Sequence, residues 1–265
     1  MRRESARATH EDSRVELNAR KAELGEHSAM AEQLGDWERL LGAAARLQGI
    51  LPDATLVGGT AAAIAAGHRR SIDADHVVTD LIGRFDQVLA ELESAAGWKT
   101  ARVRRPVVIF GSLDGILTTV RNQIRLAPLE TTEIMAAGHT IRVPTTAEIL
   151  RIKGWLIVRR NATRDFLDVA AIAVRTTDAA ILAALAPMDQ LYPQDDDQGA
   201  VRFQLMRQLA LPRPYDLDSV DLAEYKDLVP AWHDWTSVTD QCRRVANLMA
   251  NAVATQRAGW DDVKE

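Results

Sequence analysis

The stretch LVGGTAAAIAAGHRRSIDADHVV, Leu56 to Val78, constrains this chain more than any other. ATLV reads as a short strand, and the glycine pair Gly58 and Gly59 stands where that strand must turn into a helix. Glycine carries no Cβ, so backbone there can approach a neighbour or a ligand closely. TAAAIAAG then reads as a short helix of good helix formers, with Gly67 placed to stop it. IDADHVV alternates and ends β-branched, which predicts a second strand. Strand, helix and strand in this order indicate an α/β or α+β domain.

The rest of the chain fits such a domain. GDWERLLGAAARLQGI has apolar residues at helical spacing and is stopped by Pro52 and Asp53. LIGRFDQVLAELESAAG reads as an amphipathic helix closing at Gly97, and RPVVIFGSLDG and ILTTVRNQIRL as two strands joined by a glycine-containing turn. From TTAEI onward the pattern is helical, with Thr145 and Glu148 spaced as a capping box. The expected organisation is a solvated helical or flexible arm over 1–35, a mixed-sheet core over 36–144 and a helical domain over 145–265. Trp232, Trp235 and Trp260 in the last part are core aromatics or a partner surface.

Composition narrows the setting. With 47% hydrophobic residues in 265, the chain can bury a sizeable core. One cysteine, Cys242, excludes an internal disulfide framework, and no secretory leader is visible, so a cytoplasmic location is expected. No run approaches the roughly 20 apolar residues that span a bilayer. The formal net charge is −5, but it is uneven: residues 99–164 hold twelve basic against four acidic side chains, whereas residues 165–265 hold seventeen acidic against nine basic. Lys99, Arg102, Arg104, Arg105, Arg121 and Arg125 make the middle segment the candidate face for a polyanion, unless they are scattered over several faces.

Three groups of residues carry candidate chemistry. The helix after Gly58 and Gly59 offers free N–H groups and a positive dipole end, which favour phosphate, and Thr60 adds a hydroxyl; tight-turn chemistry alone also explains the glycines. Asp73 and Asp75, at i and i+2 of a strand, project from one face about 6.6 Å apart. Such a pair repels itself unless a cation sits between, and hard oxygen donors suit Mg²⁺ shared with substrate phosphates. In TTAEILRIKGWLIVRRNATRDFLDV, Lys153 shares a helical face with Ile149 and Leu156, so its ammonium either snorkels outward or reaches a triphosphate. Thr163 can cap the next helix, on which Arg164, Asp165 and Asp168 form either a surface ion-pair cluster or a working group, with Asp168 orienting Lys153 or serving as a base.

Together these pieces resemble the AbiEii/AbiGii toxins, a branch of the DNA polymerase β-like nucleotidyltransferases. The resemblance is carried by Gly58, Gly59 and Thr60; His68, Arg69, Ser71, Asp73 and Asp75; Lys153 and Arg160; and Arg164, Asp165 and Asp168, over roughly residues 54 to 175. It implies an α+β fold, with a small mixed-sheet nucleotidyltransferase core and flanking helices followed by a helical domain that contributes Lys153 and Asp168. It also implies Mg²⁺-dependent transfer of a nucleotidyl group from an NTP to an acceptor hydroxyl. Asp73 and Asp75 would hold the metal; Gly58, Gly59, Thr60, Arg69, Ser71 and Lys153 would hold the nucleotide; Asp73, Asp75, Lys153 and Asp168 would be catalytic. The implied acceptor is RNA, in some members the 3′ end of tRNA, and the implied setting a toxin-antitoxin or phage-defence system with a cognate antitoxin protein. A small-molecule or protein hydroxyl as acceptor, or a decayed nucleotide-binding module, are the alternatives. The sequence departs from the pattern in lacking an acid in ILTTVRNQIRL, where a third carboxylate is expected; Asp114 is the nearest substitute, or a plain turn residue.

Overall fold

The computed structural model describes residues 35–195 and 198–261, the last six by backbone alone. The arm expected at 1–35 lies outside the described residues, apart from Gly35, as does the side chain of Trp260. Helix α1 (35–50) is followed by β1 (Thr55–Leu56), α2 (Gly58–Ala66), β2 (Asp73–Val78), α3 (Phe85–Ser94), β3 (Trp98–Arg104), β4 (Val108–Leu113) and β5 (Ile116–Asn122). A hairpin of β6 (Thr131–Ala136) and β7 (His139–Pro144) then leads into helices only: α4 (Thr146–Arg160), α5 (Thr163–Val174), α6 (Asp178–Leu185), α7 (Met188–Leu191), α8 (Val201–Ala210) and α9 (Trp235–Asp261). The fold is mixed α+β, a five-stranded sheet with flanking helices.

The sheet order is β1-β2-β5-β4-β3, with β2 and β5 parallel and every other pair antiparallel. Period-two alternation decides what β2 presents to each side. Ala74, His76 and Val78 are buried behind the sheet, and Asp73, Asp75 and Val77 are half-buried in front. Behind, Val78 packs with Leu47 of α1, Val88 and Leu92 of α3, and Ile109 and Val120 of the central strands. Ala74 joins Leu40, Leu41 and Ala44 of α1 and Ile141 and Val143 of β7. Ile72, just outside the strand, is 65% exposed.

The sequence reading assigns no strands between Leu126 and Pro144, yet β6 and β7 pair from Thr131 with Pro144 to Ala136 with His139. The signal is weak because most of β6 is exposed and because, of the two left-handed turn positions, only the second holds the usual glycine, Gly138 (φ 76°), while Ala137 (φ 49°) fills the first.

A third core joins the helices: Ala61, Ala62 and Ala66 of α2 pack with Phe166 and Ile172 of α5, Leu205 of α8 and Val245 of α9. Trp232 is buried in this core, and Trp235 meets Phe166 edge-on at 6.2 Å. We retain residue 144 as the proposed boundary of the 36–144 and 145–265 units, although α2 contributes to both. The capping box is half-made: the Glu148 N–H donates to Thr145 Oγ1 at 3.2 Å, but the Glu148 carboxylate is buried with Arg125 and Arg151, both 2.8–2.9 Å away. The expected cap of α5 is also different. Thr163 lies inside the helix, and its N–H and hydroxyl both donate to Asp216 Oδ1 at 2.7 Å.

His76 is fully buried on the rear face of β2, and desolvation lowers its pKa to about 4. The unfolded chain, with a histidine near 6.5, binds a proton in that window which the folded chain refuses, so stability falls as pH drops from about 6.5 toward 4. Urea denaturation is expected to show this residue removing about 2 kcal/mol between pH 7 and pH 5. His76→Gln flattens the slope by that amount; an unchanged slope would contradict the assignment.

Candidate active site

The two glycines answer first to the protein's own side chains. Gly58 has φ +73°, and a Cβ there would stand 2.8 Å from Asp75 Oδ2. A Cβ on Gly59 would stand 2.9 Å from Arg69 Nη2 and 3.0 Å from Ser71 Oγ. The backbone that opens α2 is thus pressed against the residues that open β2, and only glycine permits it. Val57 N–H also donates to the Asp75 carbonyl at 2.8 Å. Ser71 Oγ donates to Asp73 Oδ1 at 2.8 Å. Asp73 and Asp75 therefore open into one cleft of about 340 Å³, together with Gly58, Gly59, Arg69, Ser71 and Lys153. Hard carboxylate oxygens on one strand face beside a helix N-terminus fit one divalent cation shared with phosphates. Among the described residues, no group of three or more His, Cys, Asp or Glu side chains converges.

Behind the cleft wall lies an anion that organises it. Asp168 of α5 has no exposure and accepts hydrogen bonds from Arg69 Nε and Nη2 (2.9 and 3.1 Å), with Lys153 Nζ at 2.6 Å and His68 Nε2 at 2.8 Å. Burial alone would raise its pKa, but Arg69, then Lys153 and His68, outweigh that and hold the carboxyl well below the usual range. Asp168 does not line the cleft, so of the two roles expected of it the geometry fits the orienting of Lys153, and of Arg69 with it, rather than that of a base. The surface cluster considered for α5 also falls away. Asp165 and Asp168 are buried, Asp165 being gripped by Arg160 Nε and Nη2 at 2.6 and 2.8 Å, while Arg164 alone is exposed.

Other expectations are corrected by burial. Thr60 is 1% exposed and its hydroxyl donates to the Asp73 carbonyl at 2.6 Å, so that hydroxyl fastens α2 to β2 and is not free for phosphate. Asp114 sits in the β4–β5 turn at φ 52°, paired with Arg46 and outside the cleft. Of the basic residues expected to face a polyanion, only Arg121 and Arg125 line the cleft. Arg125 is largely enclosed there against Glu148, whereas Arg102 and Arg105 lie over Phe110 and Phe85.

The sequence reading misses Lys226. It reaches the cleft from the loop before α9, in a left-handed conformation (φ 49°) shared with Asp227. Arg70 N–H donates to the Lys226 carbonyl at 2.8 Å, and Val229 N–H to the His68 carbonyl at 2.9 Å, so this loop clamps the α2–β2 connection. Nothing in LAEYKDL marks it, since a lysine in a polar loop is the commonest of surface residues.

Removing Asp168 strands two buried cations. Asp168→Ala is expected to cost about 3–5 kcal/mol in urea denaturation; a loss below 1 kcal/mol would show that the cluster is not the anchor described.

No family model matches the chain. The mycolic acid-containing lipids exporter MmpL11 of Mycolicibacterium smegmatis is 36% identical over 127 residues, which is 47% of this chain and 13% of that protein. The chain thus spans about an eighth (13%) of the length of that curated relative. Among solved structures, the nucleotidyltransferase toxin MenT4 of Mycobacterium tuberculosis is similar over 74% of this chain and 75% of its own, at 18% identity and a TM-score of 0.49. An antigenic nucleotidyltransferase-like protein of Paracoccidioides brasiliensis is similar over 60% of this chain and 89% of its own, at 18% identity and a TM-score of 0.41.

Proposed function

We propose that the chain is a nucleotidyltransferase that moves NMP from an NTP to an acceptor hydroxyl. The observation that carries this reading is the meeting of Asp73 and Asp75 with Gly58, Gly59 and the N-terminus of α2 in one cleft whose wall includes Lys153. The acceptor oxygen attacks the α-phosphorus, a new ester bond forms, and the bond to pyrophosphate breaks with its electron pair leaving on pyrophosphate. A divalent cation held by Asp73 and Asp75, Mg²⁺ in this proposal, supplies neutralisation of phosphoryl charge when bound. The α2 N–H groups receive phosphate oxygens. Lys153 spends one donor on Asp168 at 2.6 Å and keeps others for phosphate. With Asp168 enclosed, the acceptor proton leaves to water through the open cleft.

An RNA acceptor, such as a tRNA 3′ end, is supported by charge. Arg121, Arg164 and Lys226 line the cleft and none is paired with a fully buried acid, Arg121 having only Asp75 at 4.0 Å, so a polyanion finds cations there that no buried acid holds. The AbiEii/AbiGii resemblance extends the proposal to a toxin with a cognate antitoxin. The export activity named for MmpL11 belongs to a chain of which this one spans 13%, and no helix of the described residues is long and apolar enough to cross a membrane.

The test is incubation with each α-labelled NTP and total RNA, followed by separation of labelled species. Labelled RNA is expected from the unaltered chain, with Asp73→Ala or Asp75→Ala reducing transfer at least about a hundredfold. Asp53→Ala, at an exposed pair with Arg84, leaves it unchanged. Transfer retained in both site variants overturns the reading; label on a small molecule or protein instead of RNA overturns the acceptor.

A further inference from the structure

Strand β5 runs parallel beside β2, with Thr119 opposite Asp75 and Arg121 opposite Val77. Alternate residues of neighbouring strands share a face. Thr119 and Arg121 therefore look into the cleft with Asp73, Asp75 and Val77, and all of them line it. Two-ion phosphoryl-transfer sites hold their cations about 3.5–4 Å apart, which places four positive charges side by side. Here the strand facing the two aspartates offers a hydroxyl and a guanidinium, so among the described residues the cleft lining holds no third carboxylate for a second ion.

Among the described cations of the cleft, Arg121 stands out by a buried Nε that no acceptor meets. Arg69 and Lys153 are anchored by Asp168, and Arg160 by Asp165, at 2.6–3.1 Å. Arg121 Nη2 stays 4.0 Å from Asp75 Oδ1, and its Nε is buried with no acceptor. A buried donor left unpaired costs stability unless something arrives to accept from it. The guanidinium is permanently charged, and its planar fork of N–H donors matches phosphate oxygens.

We infer that Arg121 stands in for a second divalent cation: its guanidinium takes a non-bridging oxygen of the bound triphosphate, beside the one ion of Asp73 and Asp75, so the chain binds a single divalent ion per nucleotide. This rests on the nucleotidyl-transfer reading.

The test is equilibrium dialysis of the whole chain with Mn²⁺ and each of the four α,β-methylene nucleoside triphosphates, which cannot be cleaved at the α-phosphorus. One Mn²⁺ per chain is expected, both in the unaltered protein and in Arg121→Gln. The Arg121→Gln variant is expected to bind the analogue at least about tenfold more weakly, with a urea midpoint equal to or above that of the parent, since an unpaired buried donor has been removed. That combination separates a ligand-facing role from a structural one. Two Mn²⁺ ions in the unaltered protein, or unchanged nucleotide affinity in Arg121→Gln, overturns the inference and leaves nucleotidyl transfer standing. Absence of Mn²⁺-dependent nucleotide binding, or binding that survives Asp73→Asn with Asp75→Asn, overturns the transfer reading and this inference with it.

Discussion

A carboxylate moved out of water loses several kcal/mol of hydration and regains it only where donors surround it. Asp168 is in that position, and its donors come from the α2–β2 connection through His68 and Arg69 and from α4 through Lys153. None of these segments can shift without leaving charge unpaired in the interior. The cleft owes its shape to this constraint, because Arg69 and Lys153 are at once partners of the hidden anion and part of the cleft lining.

Helix α2 passes that constraint on to the aspartates. Its alanines are packed into the helical core, its Thr60 hydroxyl is fastened to the Asp73 carbonyl, and its first two glycines touch Asp75, Arg69 and Ser71. The short apolar helix is therefore a spacer of fixed position between a packed helical body and a strand that carries carboxylates. Its blandness has a purpose, since a larger side chain at Gly58 or Gly59 would collide with the groups that form the cleft.

Much of this was legible in the sequence where local chemistry is periodic or scarce. The glycine pair, the i and i+2 aspartates and a lysine on an apolar helical face each break a pattern, and each has its explanation in the cleft. What was not legible depends on which side of an element faces inward. Thr60 and Arg125 have chemistry suited to phosphate, yet burial commits them to the Asp73 carbonyl and to Glu148. Asp168 read equally well as a base or a support until its exposure was known. The β6–β7 hairpin turns at Ala137 and Gly138, where an alanine holds one of two left-handed positions, and Asp216 caps α5 from far along the chain, so neither leaves a strong local mark. Lys226 belongs to a loop whose meaning lies wholly in what it touches.

That loop ties the α2 end of the cleft to a segment made well after the sheet. His68 and Arg70 are bonded to Val229 and Lys226, so the turn that shapes the aspartate strand stays unsecured until the chain beyond α8 has been synthesised. Domains generally acquire structure from the N-terminal side as they emerge, and here the sheet can form well before its front wall exists. A nascent chain on the ribosome would hold its acidic pair without the clamp above it until the residues beyond α8 have emerged.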